Sequence, residues 1–138
     1  MRILFWGTPD FGVPSLRALQ EEGHAVVAVV TQPDRPAGRG RVLRPGAIKT
    51  VALEEGIPVL QPEKPRGESF LGQLRELDPE LSVVAAYVEI LTHDVLELPT
   101  LGSVNFHASL LPDLRGAAPV NWAINRGHQH SGVTLMRM

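Results

Sequence analysis

Apolar positions alternate along the chain between two rhythms. Arg2 to Phe5 opens as a short apolar strand, and Ala25 to Val30 and Leu81 to Tyr87 are nearly continuous apolar runs, the pattern of strands buried on both faces. Between them, Leu16 and Leu19 behind Pro14, then Ile48, Val51, Ala52 and Glu55, then Phe70, Leu71, Leu74 and Leu77 fall at helical spacing. Pro14 suits a first helical turn, and Gly23 and Gly56 suit left-handed helix ends. Ile57 to Leu60 reads as a short strand, Leu91 to Leu98 as a short helix and Ser103 to His107 as a further strand. Val120, Ala123 and Ile124 mark a helix face closed by Gly127, and Val133 to Met138 returns to a strand pattern. From Gln32 to Gly46 neither period holds. Parallel strands need crossover connections, so this alternation predicts an α/β protein: a mostly parallel, Rossmann-like sheet flanked by helices.

Length and composition narrow the possibilities. At 138 residues the chain makes one domain or part of a larger one, and 43% hydrophobic with 20% charged residues is a globular composition. The absence of cysteine excludes disulfides, thiolate metal sites and cysteine nucleophiles. A net charge of −2 speaks against a globally basic nucleic-acid binder, although the cations are almost all arginine. No apolar run approaches the roughly 20 residues of a membrane helix, and no secretory signal opens the sequence, so the expected setting is the cytoplasm. The last strand-like segment stops without cap, turn or polar tail, which predicts a domain over 1–138 that is cut before its end.

Ligands of open α/β sheets bind outside the carboxyl ends of strands. Four segments are expected there: 7–12, 31–46, 86–92 and 105–116. Gly7 to Gly12 has phosphate-loop glycine spacing, but Val13-Pro14 stands where Lys and Ser or Thr would be needed, and the dinucleotide pattern fails too. A tight strand-to-helix turn is the better reading. Arg35, Arg39, Arg41 and Arg44 crowd into ten residues with only Asp34 to offset them nearby. They form either an exposed solvated loop or a clamp for phosphates, and the residues alone do not choose.

The segment from Asn105 to Gly116 carries the most chemistry. Alternation in a strand puts Asn105 and His107 on one face, about 6–7 Å apart. A carboxamide N–H can stabilise an oxyanion while an imidazole moves a proton, which suits attack on a carbonyl. The alternative is a strand-end Asn and His bonded to nearby backbone. His128 and His130 lack a third ligand and read as a solvated turn rather than a zinc site. His24 and His93 read as surface residues, and Trp6 and Trp122 as core or pocket wall.

Asn105-Phe106-His107-Ala108-Ser109-Leu110-Leu111-Pro112, with Arg115-Gly116 downstream, closely resembles the signature of the folate-dependent formyltransferases. Phe5 to Phe11, Thr31 to Gly40 and Gly56 to Pro62 resemble the branch of that family that acts on methionyl-tRNA. The resemblance implies the formyltransferase fold, and transfer of the formyl group of 10-formyltetrahydrofolate to the amino group of methionyl initiator tRNA, without a metal. It implies catalytic roles for Asn105 and His107, and a folate site shaped by Ser109, Leu110, Leu111 and Pro112. Tyr87, Ile90 and Leu91 would line the pterin pocket, and Arg35, Arg39, Arg41 and Arg44 would meet tRNA.

Two departures accompany the resemblance. Val88 and Thr92 stand where the family has Gly and Pro, with Val88 expected to restrict the backbone and crowd the pterin. The family's catalytic Asp and its carboxy-terminal tRNA-binding β-barrel would both lie beyond Met138, which implies a chain inactive by itself. Competing expectations are formyl transfer to an amino sugar nucleotide or another small amine such as glycinamide ribonucleotide, and a non-catalytic folate- or nucleotide-binding module.

Overall fold

The computed structural model describes residues 1–107, 126 and 133–138. Strand β1 (Arg2–Gly7) leads through a single 3₁₀ turn at Asp10–Gly12 into helix α1 (Val13–Glu21) and strand β2 (Ala25–Val30). Then come two three-residue strands, β3 (Arg35–Ala37) and β4 (Val42–Arg44), joined by a second 3₁₀ turn at Arg39–Arg41, and then helix α2 (Ala47–Glu54) and strand β5 (Val59–Leu60). Helix α3 (Glu68–Leu77), strand β6 (Leu81–Ala85), helix α4 (His93–Glu97), strand β7 (Ser103–His107) and strand β8 (Thr134–Arg137) complete the described elements.

The main sheet has the order β5-β2-β1-β6-β7-β8. Its first five strands run parallel, and β8 returns antiparallel to β7, so the sheet is mostly parallel. Each central strand is apolar on both faces because helices cover both. Ile3, Phe5, Val29, Val83 and Ala85 pack with Leu16 of α1 and Ile48, Val51 and Ala52 of α2. Leu4, Trp6, Ala28, Val30 and Val84 pack on the opposite face with Phe70, Leu71 and Leu74 of α3 and Val95 of α4. Side chains alternating along β1 thus feed two separate cores. Gly23 and Gly56 close α1 and α2 with φ of +84° and +69°.

Several boundaries differ from the sequence reading. Strand β6 ends at Ala85 rather than Tyr87 because Ala86 turns the chain into the left-handed region at φ +58°. Strand β5 keeps only Val59 and Leu60; Pro58 has no N–H for a ladder, although its carbonyl accepts from Val29 N–H at 2.9 Å. Helix α4 starts at His93, after Thr92. The aperiodic stretch 32–46 contains an antiparallel hairpin, β3–β4, with Arg35 opposite Arg44, Pro36 opposite Leu43 and Ala37 opposite Val42. The predicted helix face at Val120 to Ile124, Trp122, and the His128 and His130 pair lie outside the described residues. No helix among the described residues is long and apolar enough to cross a membrane.

Candidate active site

The chain builds outward from β1 to β2 and β5, then returns with β6 on the other side of β1. The strand order therefore reverses between β1 and β6, which is the switch point where open α/β sheets open a crevice. The two strands meet closely there: a Cβ on Gly7 would lie 2.6 Å from the Ala85 carbonyl oxygen. Gly7 to Gly12 is a tight strand-to-helix turn, closed by Gly12 N–H donating to the Pro9 carbonyl at 3.3 Å.

Asn105 and His107 lie at the carboxyl end of β7, one strand further along. Asn105 pairs with Val84 of β6 on one side and Met136 of β8 on the other, and His107 faces Thr134. Val104 and Phe106 pack towards the α1–α2 core, whereas the Ser103 hydroxyl donates to the Leu96 carbonyl beside α4 at 2.8 Å. Alternation then gives Asn105 and His107 the α3–α4 face that Ser103 occupies. Both are half-buried, so they combine a fixed backbone with access to a ligand.

On that same face, Trp6 is fully buried, and its indole N–H donates to the Ser82 hydroxyl at 3.2 Å. It meets Phe70 and Tyr87 edge-on, with centroids 6.0 and 5.3 Å away. Tyr87 thus sits against the core, where its hydroxyl is buried and has no hydrogen-bond partner among the described residues. Burial, and secondarily the Glu89 carboxylate, push the phenol up to about 12. Leu91 packs against the same core, while Ile90 is 91% exposed and Val88 77% exposed. The left-handed residue of this turn is Ala86, and Val88 is not among the residues with positive φ. Ser109, Leu110, Leu111 and Pro112 lie outside the described residues.

The arginine hairpin leaves the same carboxyl edge, after β2. Arg35, Arg39, Arg41 and Arg44 are all exposed, and among the described residues no hydrogen bond or ion pair holds their guanidinium groups. Asp34 does not offset them. It is bound instead by Lys49 Nζ at 3.1 Å from both carboxylate oxygens, and by Gln61 Nε2 at 2.8 Å. The Gln61 amide and the Lys49 ammonium together hold the Asp34 carboxyl below its ordinary value. Sequence reasoning missed this triad because its members are 15 and 27 positions apart; the one signal was a lone acid placed before four arginines.

Two hollows lie on the α3 side, about 500 Å³ beside Arg75, Asp94 and Glu97, and about 380 Å³ beside Gln61, Arg66 and Phe70. Neither is lined by Asn105 or His107. Among the described residues, no group of three His, Asp or Glu could hold a metal ion.

Residues 1–138 match the profile of the formyl transferase family, described as Formyl transferase, over the whole chain. The chain belongs to the formyl transferase family. It is 53% identical to a methionyl-tRNA formyltransferase of Geobacter metallireducens over 138 residues, all of this chain and 44% of that protein. It is 54% identical to the methionyl-tRNA formyltransferase of Caldanaerobacter subterraneus subsp. tengcongensis, covering 45% of it. The chain thus spans less than half the length of these curated relatives. Among solved structures, glycinamide ribonucleotide transformylase 1 from Symbiobacterium toebii superposes with a TM-score of 0.76 at 18% identity, over 100% of this chain and 66% of that one. Phosphoribosylglycinamide formyltransferase from Anaplasma phagocytophilum gives a TM-score of 0.76 at 20% identity, over 100% and 64%. These two likenesses establish the formyltransferase fold and no more.

Proposed function

We propose that the protein bearing this domain moves the formyl group of 10-formyltetrahydrofolate to the amino group of methionyl initiator tRNA, in the cytoplasm. The observation that carries the reading is the shared face of Asn105 and His107, half-buried at the carboxyl end of β7 beside the switch point. The identity of just over half to methionyl-tRNA formyltransferases supports the choice of acceptor.

In this reading the Asn105 carboxamide N–H donates to the formyl oxygen as the amine attacks and that oxygen becomes an oxyanion. His107 takes the proton released by the attacking amine and delivers it to the departing folate nitrogen, so a C–N bond forms as another breaks. Tyr87, Ile90 and Leu91, with Ser109, Leu110, Leu111 and Pro112, shape the folate site. Tyr87 and Leu91 are already seated against the core, which suits a firm pocket wall; the exposed Ile90 supplies apolar surface for a ring to cover. Arg35, Arg39, Arg41 and Arg44 engage the tRNA backbone. A small amine has no evident use for four exposed guanidinium groups, which weighs against an amino sugar nucleotide or glycinamide ribonucleotide as acceptor.

The test is a formyl-transfer assay on the full-length protein and its His107→Ala variant. His107→Ala should lose roughly 10²–10⁴ in rate, with a much smaller change in folate binding. Near-wild-type turnover in that variant, or faster formylation of glycinamide ribonucleotide than of methionyl-tRNA by the wild type, would sink the assignment.

A further inference from the structure

The arginine hairpin has an electrostatic problem. Its strand register sets Arg35 directly opposite Arg44, with Arg39 and Arg41 in the connecting turn. Like charges paired across two strands oppose the pairing. Arg41 adds backbone strain, since it is left-handed at φ +49° between Gly40 at +79° and the extended Val42. A three-residue ladder is too short to hold such a hairpin in one direction by itself.

Its root is fastened twice. On the inner side, Thr8 at the end of β1 holds both legs. Its hydroxyl accepts from Gln32 N–H at 3.2 Å on the incoming leg, and its carbonyl accepts from Ile48 N–H at 3.2 Å on the outgoing one. The outgoing leg lies so close that a Cβ on Gly46 would come within 2.8 Å of the Thr8 carbonyl oxygen. On the outer side, Asp34 immediately precedes β3, and Lys49 lies in α2 just after β4, so their ion pair closes a strap across the two legs. Gln61, beyond β5, ties the strap to the sheet by donating to both Asp34 and the Gln32 carbonyl, the latter at 3.1 Å. The Lys49 and Asp34 side chains are only 20% and 29% exposed, unlike the arginines they support.

We infer that Asp34, strapped to Lys49 and Gln61, is a positioning residue that aims the arginine hairpin at the polyanionic acceptor. Asp34 touches no substrate; it acts by keeping the hairpin in one orientation, so the acceptor does not have to select a minor one. If loss of the strap leaves the competent orientation occupied about a tenth of the time, apparent affinity falls about tenfold with no change in the chemical step. The kinetic part of this inference rests on the tRNA reading; the structural part does not.

The 138 residues contain no cysteine, and any cysteine elsewhere in the full-length protein is first replaced by serine. Spin labels on Val42→Cys and Glu22→Cys in the full-length protein report the hairpin's distance from the end of α1. The wild-type background should give one narrow distance distribution. Asp34→Ala should widen it at least about twofold, and the charge swap Asp34→Lys with Lys49→Asp should narrow it again. Unlabelled Asp34→Ala should raise KM for methionyl-tRNA about tenfold while leaving kcat and formyl-donor hydrolysis within about twofold. Lys49→Gln, which keeps a donor and removes the charge, should act the same way and serves if Asp34→Ala does not fold. A distribution as narrow as the wild type in either variant overturns the strap. Widening without a change in KM, while Arg39→Ala does raise KM, overturns the positioning role. Widening with KM unchanged in both Asp34→Ala and Arg39→Ala overturns the tRNA reading and leaves the strap standing.

Discussion

Asn105 and His107 are held by the sheet, whereas the four arginines are held by side chains at the root of a hairpin. The first pair sits on β7, a five-residue strand bonded on one side to β6 and on the other to β8. Moving either residue means shifting a ladder whose neighbours belong to two buried cores. The arginines project from a two-stranded ribbon whose pairing the charges themselves oppose, and which Thr8, Asp34, Lys49 and Gln61 must restrain. Bond-making chemistry needs positions fixed to a fraction of an ångström, and a continuous ladder supplies that. Recognition of a long polyanion tolerates an adjustable arm, provided the arm starts out facing the right way.

Damage to the ladder should produce the largest effect. Gly7→Ala places a methyl 2.6 Å from the Ala85 carbonyl oxygen, a backbone atom that cannot swing aside, and so forces β1 and β6 apart. We expect a loss of about 1–3 kcal/mol, a clear fall in melting temperature, and loss of formyl transfer as the switch-point crevice deforms. A Gly7→Ala protein that melts with the wild type would show that the sheet is less rigid than the comparison requires. The hairpin should respond differently. Arg39→Ala should leave melting and donor hydrolysis unchanged, while weakening tRNA binding and lowering the slope of log affinity against log salt by about 0.7–0.9. An unchanged slope would remove Arg39 from the phosphate contacts.

The smallest effect sharpens the rigid side. Tyr87 is the sole tyrosine of the 138 residues, and the phenolate absorbance lost in a Tyr87→Phe variant reports it alone. Its midpoint should lie near 12 instead of 10, because burial disfavours the charged form. The native state keeps this proton after the unfolded chain has lost it. Stability from Tyr87 is therefore complete below about pH 10 and is lost as pH rises towards 12. A midpoint near 10 would mean that the tyrosine wall is open to water.

The same contrast explains what the sequence disclosed. Runs such as Ala25 to Val30 announced central strands because burial on both faces leaves no room for polar residues, and the helix faces of α1, α2 and α3 were equally plain. Asn105 and His107 could be placed on one face from period alone. The hairpin stayed hidden because three-residue strands of Arg, Pro, Ala, Val and Leu are too short to show alternation, and its register brings like charges together. The end of β6 was overrun because alanine gives no sign that residue 86 is left-handed. Val88 drew attention as a missing glycine, yet the backbone bends two residues earlier. The strap was invisible for a different reason: Asp34, Lys49 and Gln61 meet only after β2, α2 and β5 have packed.

The placement of β1 between β2 and β6 also bears on the order in which the molecule assembles. Pairing of Ile3 with Val26 closes a short loop, whereas pairing of Ile3 with Leu81 must wait until residue 81 has left the ribosome. Closing that longer loop costs more chain entropy, so the β1–β6 seam zips after the β1–β2 half-sheet. The floor of the crevice thus closes only after the β1–β2 half of the sheet, and a nascent chain stalled before residue 81 carries into the cell an open edge of β1, its backbone N–H and C=O groups unpaired on that side.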